Sequence, residues 1–94
     1  MKNYELMFIV KPTIEDEAAN AICENMKKTL EEMGAKILEV KNLGHKELAY
    51  EIETFKNGNY FLITVESDAK AVNEFSRLAN ISEDIIRHIV VKAN

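Results

Sequence analysis

The side chains best suited to catalysis or metal binding in this sequence are two histidines and one cysteine: His45, His88 and Cys23. Their spacing fits neither a C-x-x-C nor an H-x-x-x-H metal-binding pattern. Cys23 falls beside the apolar stripe of a predicted helix, where a packed thiol is far more common than a nucleophile. His88 is expected on the inward face of a strand, as a core histidine. We therefore expect no catalytic residue, no metal site and no cofactor.

Two pairs of neighbouring carboxylates are the remaining candidates for acid–base chemistry, Glu31 with Glu32 and Glu51 with Glu53. Nothing around them indicates the buried site that such catalysis requires, so we expect solvated surface residues. The three glycines are dispersed and form no phosphate-binding loop. An acylphosphatase-like hydrolase would need an anion-binding loop and an arginine after the first strand, and residues 11–13 supply neither. We expect no enzymatic activity and no small-molecule substrate.

The length of 94 residues predicts one domain that spans residues 1–94, and 47% hydrophobic with 30% charged residues is a globular composition. A single cysteine allows no internal disulfide and favours a reducing compartment. The longest apolar run, residues 6–10, is far shorter than the ~20 residues of a membrane-spanning helix. The first residues lack a signal-peptide pattern. We expect neither a secreted protein nor a membrane protein.

The net charge of −4 comes from one segment of the chain. Residues 13–34 hold six acidic and two basic residues, and the rest of the chain is neutral. Tight RNA binding by counterion release needs clustered lysines and arginines. An acidic domain is therefore expected to bind RNA weakly, from a basic edge and with the help of a partner.

Apolar periodicity predicts six elements in the order β-α-β-β-α-β. They are strand 4–10, helix 14–33, strand 37–52, strand 60–66, helix 69–79 and strand 85–92. Thr13 and Asp68 are the expected helix caps, Gly44 marks a bulge or bend, and residues 56–59 form the expected turn between the middle strands. The stripe of the first helix is expected to be Ile14, Ala18, Ile22, Met26, Leu30 and Met33. This order predicts the α+β, ferredoxin-like split βαβ fold, with a four-stranded antiparallel sheet and two helices on one face.

The other face of the sheet, called the open face below, is left uncovered by the helices. Strand alternation predicts its residues to be Met7, Ile9, Tyr60, Leu62, Ile89 and Val91 around Arg87, with Ile85 outward and Ile86 inward. Exposed sheet faces are normally polar, so an apolar patch indicates a contact surface. A protein partner or self-association, stacked bases, and tolerated apolarity remain open. Only Tyr60 could stack a base, so a standard RNA recognition motif is not expected.

Several stretches resemble the bacterial ribosomal small-subunit protein six family. They are Tyr4-Glu5-Leu6-Met7-Phe8-Ile9-Val10-Lys11-Pro12, then Leu43-Gly44-His45-Lys46-Glu47-Leu48-Ala49-Tyr50-Glu51-Ile52, and Ile86-Arg87-His88-Ile89-Val90-Val91-Lys92. The resemblance covers essentially the whole chain. It implies a structural, non-enzymatic component of the small ribosomal subunit in the cytoplasm. It also implies binding to the central domain of small-subunit ribosomal RNA together with ribosomal small-subunit protein eighteen, as a heterodimer.

The resemblance also implies which residues make these contacts. The candidate RNA-binding residues are Lys2, His45, Lys46, Arg87 and Lys92. They would position phosphates and read shape rather than sequence. The candidate partner-binding residues, which include members of the open face, are Met7, Tyr50, Tyr60, Leu62 and Ile89.

Two residues depart from the family pattern, because His45 replaces the usual arginine or lysine and Glu51 replaces the signature proline. Glu51 brings a negative charge to the expected RNA edge. The alternative function is a self-associating regulatory or ligand-binding domain of the same fold, which would dimerise through the open face.

Overall fold

Four antiparallel strands and two helices follow one another in the predicted order. The computed structural model describes residues 1–92. The elements are β1 (Lys2–Val10), α1 (Asp16–Glu32), β2 (Lys36–Ile52), β3 (Phe55–Ser67), α2 (Ala69–Ile81) and β4 (Ile85–Lys92). The strand order in the sheet is β2-β3-β1-β4. The split βαβ fold predicted from the sequence is confirmed.

The hydrophobic core lies between the helices and the inner face of the sheet. Phe8 of β1 and Phe61 of β3 are cross-strand partners, and their rings stack with centroids 5.2 Å apart. Phe75 of α2 packs against Phe8 at 6.0 Å between ring centroids. Aromatic pairs of this kind stabilise a fold by about 0.5–1.5 kcal/mol each beyond the burial of their area. These rings anchor α2 to the two central strands.

Helix α1 begins later than the sequence pattern predicts, and Thr13 is not its cap. The Ile14 amide donates to the Lys11 carbonyl at 3.2 Å, so residues 11–14 form a turn from which Ile14 packs against the core. Glu15 is the N-cap and makes no side-chain capping bond. The acidic residues Asp16 and Glu17 in the first turn interact favourably with the helix dipole instead.

The buried stripe of α1 also differs from the prediction. Ala19, Cys23, Met26 and Leu30 face the core, whereas Ala18 is exposed. A strict spacing of four advances 400° per step and drifts around a helix of 3.6 residues per turn, while the spacing 4-3-4 stays on one face. Helix α2 follows its prediction, because Asp68 caps it by accepting a 3.2 Å hydrogen bond from the Ala71 amide.

The turn between β2 and β3 lies at Glu53 and Thr54, so the prediction of a turn at residues 56–59 was wrong. Both turn residues have a positive φ, 48° and 71°. Gly58 lies within β3 for a different reason: a Cβ atom there would collide with Ile9 Cγ2 and lie 3.2 Å from the Val10 carbonyl oxygen. A glycine is needed at this position because β3 lies so close to Ile9 of β1. In the sequence, the same glycine between two asparagines resembles a turn.

Among the register shifts of the sheet, the bulges at Gly44 and in β4 bear on the predicted assignment of side chains to its two faces. At the predicted bulge, Gly44 has φ +81° and its amide donates to Asn42 Oδ1 at 2.9 Å. A second bulge in β4 pairs Val10 with Ile85 while Ile9 pairs with Arg87. Ile85 is therefore buried in the core and Ile86 approaches Gly58, the reverse of the predicted assignment. Simple alternation cannot reveal a bulge that carries no glycine.

Replacing Thr54 by glycine should stabilise the protein by about 0.5–1 kcal/mol, because a β-branched residue is strained at positive φ. Urea unfolding measures the change in the free energy of unfolding. Thr64→Gly is the matched control; Thr64 lies within β3, where glycine should destabilise by about 0.5–1 kcal/mol. An unchanged or lowered stability of the Thr54 variant would contradict the turn assignment.

Candidate protein- and RNA-binding surface

The open face is built from rows of side chains on neighbouring strands. From the β2–β3 turn end, the rows are Gly44, Tyr60, Ile9 and Arg87, then Lys41, Leu62, Met7 and Ile89, then Glu39, Thr64, Glu5 and Val91. The first two rows are mainly apolar and the third carries two carboxylates. The predicted apolar residues of the open face, apart from Val91 in the third row, are thus brought together toward one end of the sheet.

An irregular part of β2 folds over this apolar end. Glu47 pairs with Asn57 and Ile52 with Phe55, so four residues of β2 face a single residue of β3. We call residues 48–52 the cover segment. Its Leu48, Ala49, Tyr50 and Ile52 border a cleft together with Met7, Ile9, Tyr60, Arg87 and Ile89. The excess length of β2 is what allows an edge strand to reach across the open face.

The cleft under the cover segment has a volume of about 210 Å³ and a mostly apolar lining. Pockets for small molecules usually measure about 300–1,000 Å³. The cleft therefore suits one apolar side chain of a protein better than a free ligand. Ile9 at its base is only 3% exposed, whereas Ile89 at its edge is 39% exposed and Tyr50 is 60% exposed. Met7, Tyr60 and Leu62 are half-buried.

Two cations on the open face are each held by a tyrosine. The Arg87 guanidinium donates to the Tyr50 hydroxyl, and its Cζ lies 5.7 Å from the centre of the Tyr50 ring. Lys46 Nζ lies 6.0 Å from the centre of the Tyr60 ring. Cation–π contacts at exposed sites stabilise by about 0.5–1 kcal/mol. Each pair joins a predicted RNA-binding residue to a predicted partner-binding residue.

His45 lies beside Lys46 in β2 but interacts with the helical side of the molecule. Its Nε2 is 3.0 Å from Asp16 Oδ1 at the start of α1. Both side chains are well exposed. The carboxylate of Asp16 repels a phosphate from His45. His45 is therefore expected to bind a phosphate less well than the arginine or lysine that is usual in the family.

Lys2 and Lys92 lie at the opposite end of the sheet. Lys2 pairs with Ser67 and His45 with Asn59, and eight residues of β3 correspond to roughly 26 Å. The side-chain contact with Lys2 lowers the pKa of Lys92, since a second positive charge beside an ammonium group is unfavourable. The five predicted RNA-binding residues thus do not form one patch but lie at two ends of the sheet.

Three residues of the cleft lining, Leu48, Ala49 and Ile52, were predicted neither as binding residues nor as members of the open face. Leu48, Tyr50 and Ile52 do alternate in the sequence, which indicates one apolar side of an edge strand. The displaced pairing that turns this side toward β1 and β4 has no signal in the sequence.

The cysteine and His88 occupy structural positions. Cys23 is 4% exposed, and burial, aided by the nearby charge of Glu24, raises the pKa of its thiol from 9.0 to about 11. His88 is half-buried, with its ring 6.0 Å from Phe75 in an edge-on arrangement. Within residues 1–92, no three His, Cys, Asp or Glu side chains are grouped so that they could hold a metal ion.

The helices within residues 1–92 are α1, with 17 residues, and α2, with 13. Neither is long and apolar enough to cross a membrane.

The fold is an α+β domain with an open sheet face that carries a cleft. Its family follows from sequence: the family model for ribosomal protein S6 matches residues 3–92, and the chain belongs to that family. It is therefore a protein of the small ribosomal subunit, a ribonucleoprotein particle that acts in translation. Members of this family are structural and are not a known class of enzyme.

The crystal structure of 30S ribosomal protein S6 from Thermotoga maritima is similar throughout. The two chains are 32% identical, with a TM-score of 0.92, and the match covers 97% of this chain and 86% of that one. The solution structure of the C-terminal domain of MgtC from Mycobacterium tuberculosis has a TM-score of 0.66 at 6% identity, covering 99% and 88% of the two chains. At that identity the second likeness shows the fold alone.

The Cys23 thiol should react slowly with a disulfide reagent in the native protein. Because the thiolate is the reactive form, a pKa of about 11 in place of 9.0 lowers the reactive fraction near pH 8 about a hundredfold. The measurement compares the reaction rate of native protein with that of protein unfolded in urea at the same pH. Equal rates would contradict the burial of this thiol.

Proposed function

We propose that this small-subunit ribosomal protein binds the central domain of small-subunit ribosomal RNA as a heterodimer with ribosomal small-subunit protein eighteen. The observation that carries the proposal is the contrast between two surfaces. The apolar residues of the open face form one continuous surface around a cleft, whereas the predicted RNA-binding cations are scattered. A continuous apolar surface suits a protein partner, and scattered cations suit RNA contacts that need one.

The partner contact is supported by exposure. Ile89 and Tyr50 are exposed beside half-buried Met7, Tyr60 and Leu62, and burial of apolar area stabilises a complex by roughly 25 cal/mol per Å². The third row of the open face adds the carboxylates of Glu5 and Glu39. A partner that lies along the sheet would therefore insert an apolar side chain at one end and meet negative charge at the other.

The RNA contact is supported by four exposed basic residues, Lys2, Lys46, Arg87 and Lys92. The Lys2–Lys92 contact concentrates positive charge at one end of the sheet, and a phosphate there would relieve the repulsion between the two ammonium groups. His45 is expected to contribute less because Asp16 lies against it. With a net charge of −4 for the whole chain, RNA binding is expected to follow partner binding.

Reversing two of these charges, in Lys46→Glu with Arg87→Glu, should weaken binding of the heterodimer to its RNA at least tenfold. The slope of log K against log salt should become shallower by about 1.4–1.8, since two phosphate contacts are lost. A filter-binding titration at several salt concentrations measures both quantities. Lys27→Glu with Lys28→Glu in α1 is the control of equal charge change. Equal affinities and slopes for the two double variants would rule out the RNA-binding role of Lys46 and Arg87.

Tyr60→Asp should weaken the heterodimer at least tenfold, because a carboxylate would then have to be buried in an apolar cleft. Thr64→Asp places the same charge on the same face of β3, one row beyond Leu62 and outside the cleft lining, and should have a smaller effect. Calorimetric titration with protein eighteen measures both. Normal affinity of the Tyr60 variant would show that the partner binds elsewhere.

A further inference from the structure

In this structure one nitrogen of the exposed Arg87 guanidinium, Nη1, is already held by another side chain. The guanidinium donates to the Tyr50 hydroxyl and lies over the Tyr50 ring, 37 residues away in sequence. Arginine binds phosphate best when two parallel N–H groups of its planar fork face the phosphate. The contact with Tyr50 directs the guanidinium toward the cover segment instead. The orientation of a residue expected to bind RNA is thus set by a residue expected to bind the partner.

Of the two residues in this contact, Tyr50 is held less firmly by its surroundings. Tyr50 is 60% exposed and lies in the stretch where four residues of β2 face one residue of β3, so regular strand pairing does not fix it. Arg87 pairs with Ile9 in the regular part of the sheet. The contact between them therefore joins a segment without regular pairing to a regularly paired strand, across the cleft.

The second cation–tyrosine pair is built differently. Tyr60 pairs with Ile9 on one side and Gly44 on the other, so its ring position is set by the sheet. Lys46 contacts that ring only through its charge, at 6.0 Å. Displacing the cover segment would leave this pair intact. The Tyr50–Arg87 contact is therefore the one whose state depends on what occupies the cleft.

We propose that the Tyr50–Arg87 contact is a latch that couples partner binding to RNA binding. An apolar side chain of the partner that enters the cleft displaces the cover segment, Tyr50 turns to the partner, and the released Arg87 guanidinium binds a phosphate. The proposal rests on the proposed function, since it assigns an order to those two contacts. It gives the partner-first order a physical cause within this chain.

The latch predicts the size of the coupling between partner binding and RNA binding, and this coupling is reciprocal. The factor by which the partner strengthens RNA binding must equal the factor by which RNA strengthens partner binding. A hydrogen bond of this kind is expected to contribute about three- to tenfold to that factor. Removing the latch should remove this part of the coupling, so the factor by which the partner strengthens RNA binding should fall about three- to tenfold.

Tyr50→Phe removes the hydroxyl that accepts from Arg87 and keeps the ring for the partner. RNA affinity is measured over a salt series without protein eighteen and with a saturating amount of it. Without the partner, the variant should bind RNA about three- to tenfold more tightly than the wild type, with a slope of log K against log salt steeper by about 0.7–0.9. Tyr50→Ala, measured without the partner, removes the ring contact as well and should bind at least as tightly as Tyr50→Phe.

Tyr4→Phe is the matched control, because it removes a tyrosine hydroxyl on the helical side of β1, where the residue packs against the core. It should leave both affinities unchanged. The partner factor is the ratio of RNA affinities with and without protein eighteen. If the wild type shows partner-dependent RNA binding and Tyr50→Phe has the same partner factor, the latch alone is overturned. If the wild-type heterodimer fails to bind the RNA, the proposed function is overturned and the latch with it.

Discussion

Two helices can cover only one face of a four-stranded sheet, and the central strand β1 is apolar on both faces. Leu6, Phe8 and Val10 pack under the helices, while Met7 and Ile9 point to the other side. The second set needs another cover, and the chain supplies only part of one by folding residues 48–52 over Ile9. The remaining apolar residues are not fully covered, and Ile89 at the edge is exposed. The candidate binding surface is thus a consequence of an incompletely covered sheet.

The fold was predictable because its elements have strong local signals. Asp68 caps α2 as expected, and Gly44 forms the bulge that a glycine within a strand indicates. The errors arose where one signal has two physical causes. Gly58 with its flanking asparagines resembles a turn, but the glycine is needed because β3 approaches Ile9 too closely for a Cβ atom. The turn itself uses Glu53 and Thr54, residues that rarely take positive φ.

The candidate site was predictable as a set of residues but not as an arrangement. Alternation assigns Met7, Tyr60 and Leu62 to the open face, and the registers agree. It cannot reveal that the excess residues of β2 bring Tyr50 to Arg87, because that contact depends on displaced pairing. Nor does alternation show that Lys2 and His45 lie at opposite ends of the sheet. Long-range geometry of this kind is set by the whole fold.

The central claim is that the protein partner binds first and makes RNA binding possible. The most direct test is a salt-titrated gel-shift measurement with a fragment of the small-subunit RNA central domain, in the presence and absence of protein eighteen. The account predicts strong, salt-sensitive binding only when the partner is present, since the chain alone carries a net charge of −4 and its cations are dispersed. Equal RNA affinity without the partner would contradict it. A stable homodimer with no partner-dependent RNA binding would favour self-association through the open face instead.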